Sequence, residues 1–139
     1  MSEPTLTGRC CCGFVRYAAQ GRPRFETNCH CETCRRTSGA AFLTWFTIAA
    51  SGYRVIAGEP AGYASSEHGE RTFCPRCGTP LTFRSSRSPE DIDVTTCSLD
   101  DPLRVPPQDH TYTHSQLAWI KLADGLPRFA RARTDEPPS

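Results

Sequence analysis

Nine cysteines stand in a chain of 139 residues, and their spacing constrains the fold more than any other feature of the sequence. Eight of them fall in Gly8-Arg9-Cys10-Cys11-Cys12-Gly13, Cys29-His30-Cys31-Glu32-Thr33-Cys34 and Phe73-Cys74-Pro75-Arg76-Cys77-Gly78, with Cys97 apart. A disulfide framework fits badly. The count is odd, and the first residues, MSEPTLTGRC, lack the basic start and apolar stretch of a secretory signal. The expectation is a cytoplasmic protein, whose surroundings keep thiols free. Pairs spaced C-x-C and C-x-x-C set two thiolates on one tight turn, as tetrahedral zinc requires.

The C-P-x-C-G run reads as a zinc knuckle: its turn aims backbone N–H groups at the sulfurs, and Gly78 permits the tight return. A closed four-thiolate site needs two pairs. Joining Cys74 and Cys77 to Cys10 and Cys12 supplies one. Cys29, Cys31 and Cys34 then form a three-thiolate group, the donor number of a zinc that keeps one position open. Spacing alone also permits a swap in which Cys29 and Cys31 join the knuckle. Two Zn²⁺ per chain are expected. A fourth ligand from His30, His68, His110, His114, Cys11 or Cys97 would close the second site and make it structural.

Between the cysteine clusters the chain reads as mostly strand. Phe14–Tyr17, Arg24–Cys29, Phe42–Ile48, Tyr53–Ile56, Gly62–Ser65, Pro80–Phe83 and Asp91–Thr96 are short runs with β-branched or aromatic residues, separated by turn formers such as Ser51-Gly52 and Ser88-Pro89. Regular short strands predict a mainly β fold, an antiparallel sandwich or barrel-like sheet. Glu32–Ser38 is the one stretch that reads as helix, and it is too short to stand alone. Pro102–Thr113 is expected to be extended. Length and a hydrophobic share of 37% suit one domain, over residues 1–133, with a polar, flexible tail at 134–139. No apolar run is long enough to cross a membrane. A formal charge of +1, with no basic stripe carrying aromatics, argues against a nucleic-acid partner.

In order, G-x-C-x-C-G-x-V-x-Y, C-H-C-x-x-C-R, F-C-x-x-C-G and W-x-x-x-x-D-G-L-P resemble the glutathione-dependent formaldehyde-activating enzyme family, which includes centromere protein V. The match runs from Gly8 to about Phe129. The resemblance implies a small β-rich fold of the β-tent type. It also implies a structural zinc on Cys10, Cys12, Cys74 and Cys77, and a second zinc on Cys29, Cys31 and Cys34. Cys11 falls at a variable position of the first motif and Cys97 lies outside all four, so both are expected to be spare.

Two classes of function follow. In the first, the chain is a carbon–sulfur lyase. An open zinc binds a thiol as thiolate and polarises a carbonyl, and adducts form or break between glutathione or another thiol and formaldehyde or a related aldehyde. In the second, it is a non-catalytic scaffold or protein-interaction module. No general acid or base can be named from sequence. His30, between two ligands, reads as a core histidine turned away from the metal. His110 and His114 alternate as on a strand, a spacing that lets both face one side of a pocket, though a surface position or a closed hydrogen bond is the commoner fate and the one expected. Seven thiolates remove seven units of charge and two Zn²⁺ restore four, which takes the chain from +1 to −2. Arg35 and Arg36 read first as a solvated helical turn, and second as cations able to offset the three-thiolate site and grip a carboxylate. Trp119 reads as a buried aromatic and Asp124-Gly125-Leu126-Pro127 as a tight turn.

Overall fold

The computed structural model describes residues 4–133; the expected tail at 134–139 lies outside the described residues. Among the described residues there are ten strands: β1 (Thr5–Arg9), β2 (Arg16–Gln20), β3 (Arg24–Cys29), β4 (Leu43–Ala49), β5 (Tyr53–Ala57), β6 (Ala61–Ala64), β7 (Gly69–Phe73), β8 (Pro80–Ser85), β9 (Asp91–Thr95) and β10 (Asp109–Thr111). One α-helix, α1 (Glu32–Ser38), follows β3. It covers the predicted stretch, and its ends are chemically marked. The Cys31 side chain caps the N-terminus, and Gly39 closes the C-terminus at φ 69°, a left-handed conformation that suits glycine.

The strands form two sheets. β1-β2-β5 make a three-stranded sheet, and β10-β3-β4-β9-β8-β7-β6 make a seven-stranded one. Every pairing is antiparallel except β10 with β3, which is parallel. The mainly β class is therefore as expected, with one parallel edge strand added. β1, β7 and β10 lie where no strand was read. The proline-rich stretch begins as a 3-10 turn (Pro102–Arg104) before it extends into β10.

The alternation of β4 and β9 explains where the site sits. Phe46 and Ile48 on β4, with Ile92 and Val94 on β9, are buried with Leu6, Tyr17 and Ala19 of the small sheet. Each such side chain removed from water contributes about 1.5–3 kcal/mol. The intervening residues, Trp45 and Thr47 on β4 and Asp91 and Asp93 on β9, point to the opposite face of the large sheet and line a cavity there. One face of the sheet thus makes the core and the other holds the chemistry.

Candidate metal centres and the cavity beside them

Two thiol clusters form. The sulfurs of Cys10, Cys12, Cys74 and Cys77 lie within 4.8 Å of one another, and so do those of Cys29, Cys31 and Cys34. This is the partition that the resemblance implied, and not the swap. Cys10 and Cys12 sulfurs are 3.6 Å apart, and Cys12 and Cys74 sulfurs 3.8 Å. A tetrahedron of sulfurs around an ion with bonds of about 2.3 Å has edges of about 3.8 Å, whereas a disulfide would need about 2.05 Å. All nine cysteines are free thiols. Both clusters therefore fit a thiophilic metal ion.

The four-cysteine cluster joins distant chain. Cys10 and Cys12 follow β1, while Cys74 and Cys77 lie on the turn between β7 and β8. Backbone N–H groups of Val15, at 3.2 Å, and of Arg76 and Cys77, at 3.3 and 3.4 Å, donate to the Cys10 and Cys74 sulfurs. The knuckle turn closes with Gly78 N–H donating to the Cys74 carbonyl at φ 83°. The Cys77 thiol is pulled down to about 5, chiefly by the Thr79 hydroxyl and backbone N–H.

The three-cysteine cluster is local, spanning the end of β3 and the start of α1. Cys34 N–H donates to the Cys31 sulfur at 3.3 Å, so the helix cap is also a metal-facing group. The three sulfurs compete for negative charge. Hydrogen bonds from Cys29 and Cys34 pull the Cys31 thiol to about 2, while those same bonds to Cys31 and Cys34, with burial, hold the proton on Cys29 and push its thiol far up. A divalent cation removes that competition by letting all three ionise.

These sulfurs open onto a cavity of about 410 Å³, lined among others by Trp45, Phe83, Arg71, Asp93 and Tyr112. Arg71, on β7, was not singled out in the sequence. It is 8% exposed, and two of its N–H groups point to the Cys34 sulfur at 3.7 Å each. The cation near the thiolates is thus Arg71, from β7, a distant strand of the same sheet that faces the same cavity. Arg36 instead pairs with Glu32 at 2.8 Å on the exposed face of α1, the solvated role first expected of it. Asp93 accepts from the Thr47 hydroxyl at 2.6 Å. Burial pushes its carboxyl up to about 6. Phe25 forms part of the outer wall at φ 52°, where β3 bulges against β4.

His30 is fully buried, as expected of a core histidine. Its Nε2 lies 3.0 Å from His110 Nδ1, and His110 Nε2 lies 2.8 Å from Asp124 Oδ2. Asp124 can only accept, so in neutral rings the proton order follows: His110 donates from Nε2, and His30 donates from Nε2 to His110 Nδ1. Burial, with His110 beside it, pulls the His30 ring down to about 4 and keeps it neutral. His110 and His114 do not share a face. Tyr112, at φ 55°, ends the strand, and His114 sits exposed in a 3-10 turn against the Ala130 carbonyl. Asp124 makes the expected tight turn, accepting from Leu126 N–H at 3.1 Å. Trp119, expected to be buried, is 71% exposed, because its segment joins neither sheet. Cys11 and Cys97 are exposed and stand outside both clusters.

The family described as glutathione-dependent formaldehyde-activating enzyme matches residues 5–115. A Halomonas elongata protein named for glutathione-dependent formaldehyde activation is 28% identical over 128 residues, covering 84% of this chain and 80% of its own. An uncharacterised lyase of Schizosaccharomyces pombe is 36% identical over 81 residues, 58% of each chain. A crystal structure of a Rhodobacter sphaeroides protein superposes with a TM-score of 0.63 at 26% identity, over 76% of this chain and all of that one. With the family's match running across both cysteine clusters, this chain belongs to the glutathione-dependent formaldehyde-activating enzyme family.

Proposed function

We propose that the chain is a zinc-dependent carbon–sulfur lyase that makes or breaks adducts between a thiol, glutathione first, and formaldehyde or a related aldehyde. Cys10, Cys12, Cys74 and Cys77 would hold one structural Zn²⁺, and Cys29, Cys31 and Cys34 a second. The observation that carries this is the contrast in donors: four sulfurs at one cluster, three at the other, with the three facing a cavity. A zinc on three thiolates supplies, when bound, a Lewis acid with room for one more ligand, at which a thiol gives up its proton.

The chain's own residues set the rest. Trp45 and Phe83 give the cavity apolar walls that keep bulk water from the reacting groups. Arg71 offsets part of the sulfur charge. In the forward direction the sulfur pair forms the C–S bond, the carbonyl π pair moves to oxygen, and oxygen takes up the proton that the thiol released. No helix among the described residues is long and apolar enough to cross a membrane, and the proposed partners are small molecules.

The test compares wild type with Cys31→Ser at equal concentration. NMR exchange between free glutathione and its hydroxymethyl adduct should be faster with wild type only, and calorimetry should detect glutathione binding to wild type. Equal exchange by both proteins, or no thiol binding to wild type, rejects the lyase and favours the scaffold.

A further inference from the structure

From its placement we infer that Arg71 is a positioning residue whose fixed charge makes the three-cysteine centre take an anionic sulfur donor in preference to a neutral one. The inference rests on the reading above, that Cys29, Cys31 and Cys34 hold a divalent ion as thiolates.

Arg71 is held on every side. Its Nε donates to Ser65 Oγ at 3.0 Å, and one terminal nitrogen lies 3.4 Å from Thr37 Oγ1. Both terminal nitrogens are 3.7 Å from the Cys34 sulfur. The guanidinium also lies over the rings of Trp45, at 5.7 Å, and Phe83, at 5.0 Å. A cation so pinned is not free to swing out and grip a carboxylate on a substrate's tail. What it does instead is constant: it holds one positive charge against the thiolate cluster, in a place that is 8% exposed and weakly screened.

The charges decide what the centre accepts. Three thiolates and a divalent ion sum to −1, and the guanidinium brings the group to zero. A thiolate arriving as fourth ligand then takes it to −1. Without Arg71 the same arrival would take it to −2, at low effective dielectric. A neutral donor such as imidazole leaves the charge where it was. Arg71 should therefore favour thiolate selectively. Asp93, a carboxylate lining the same cavity and within the field of the guanidinium, opposes this, as does Asp91 beside it.

The experiment loads the full-length chain with Co²⁺ and follows the sulfur-to-cobalt charge-transfer bands. Wild type, Arg71→Met and Arg71→Lys are titrated with 2-mercaptoethanol, with glutathione and with imidazole. Arg71→Met should weaken both thiols by about 10- to 100-fold and change imidazole by less than about threefold. Arg71→Lys, which keeps the charge but not the paired N–H groups, should recover most of the thiol affinity. If Arg71→Met does not fold, Arg71→Gln against Arg71→Lys makes the same comparison. Equal weakening of thiol and imidazole, or no change in either, overturns the inference and leaves the lyase reading standing. Loss confined to glutathione also overturns it, since that would mean a grip on the tail. If wild type takes up no thiol at all, both readings fall together.

Discussion

The two thiol clusters use the same residue type for opposite structural ends. At the first, Cys12 and Cys74 stand 62 positions apart in sequence, and Cys10 and Cys74 are buried in the main core. At the second, all three cysteines fall within six residues, and they pack against Trp45 in a separate small cluster. An ion at the first site closes a long loop and ties β1 to the β7–β8 turn. An ion at the second closes almost nothing, because β3 and α1 already hold its ligands in place. The lesson is that donor count and chain separation together distinguish a metal that builds a fold from one that a fold presents.

The largest effect should come from the first site. An ion here is linked to folding by about 10–16 kcal/mol, comparable with or above the whole stability of a domain, about 5–15 kcal/mol, so removing one ligand forfeits a share of it large enough to matter. Cys74→Ser should therefore be unfolded or insoluble. Cys31→Ser should give a folded chain with one ion fewer and a thermal midpoint within several degrees of wild type. Circular dichroism and metal analysis on both proteins check this. Equal melting of the two variants would erase the division between the sites.

The division was legible in sequence only in part. The seven cysteines and the cap-to-cap span of α1 were readable, because C-x-C and C-x-x-C turns and a Gly stop are local signals, whereas the partition into two groups came from the family resemblance, since spacing alone permitted a swap. Strands β4 and β9 were readable because Phe46, Ile48, Ile92 and Val94 carry the apolar alternation that β burial requires. β7 was not, since Gly69-Glu70-Arg71-Thr72-Phe73 looks like exposed polar chain. Arg71 is buried there by two aromatic rings and a sulfur cluster, partners that only the tertiary fold supplies. β10 was hidden for a related reason: Asp109, His110 and Thr111 are polar but buried, each bonded to residues far along the chain. The Trp119 expectation failed on the converse point, for an aromatic is buried only where a packed layer reaches it.

A middle-sized effect should come from the buried histidines, of which His30 lies in the segment that carries the second site's ligands. His110→Phe keeps an aromatic ring, a slightly larger one, but leaves the His30 Nε2–H without its acceptor. An orphaned buried donor costs about 1–3 kcal/mol, so the midpoint should fall by several degrees. His30 lies between Cys29 and Cys31, so the disturbance is aimed at their spacing. Ion affinity at the three-cysteine site should drop about tenfold, with the four-cysteine ion unaffected. A stepwise chelator titration separates the two ions. Equal loss from both would show that the histidine chain supports the fold at large.

The smallest effect concerns Asp93, and it tests whether the cavity at the second site is built for binding at the expense of stability. Burial keeps its proton on until about pH 6, whereas an unfolded aspartate loses it near 3.8. Between those values the folded chain binds more protons than the unfolded one. Stability therefore falls as pH rises through that window, and the penalty is complete above it. Asp93→Asn keeps an oxygen to accept from Thr47 and removes the charge. It should be more stable than wild type at pH 8, with the gain about half as large at pH 5. Denaturant unfolding at the two pH values, on metal-loaded protein, measures this. Both ions should stay bound throughout. A gain independent of pH would mean that Asp93 is not the titrating group. Loss of the second ion from the variant would make this carboxylate part of that centre, and the two sites would then differ by more than one sulfur.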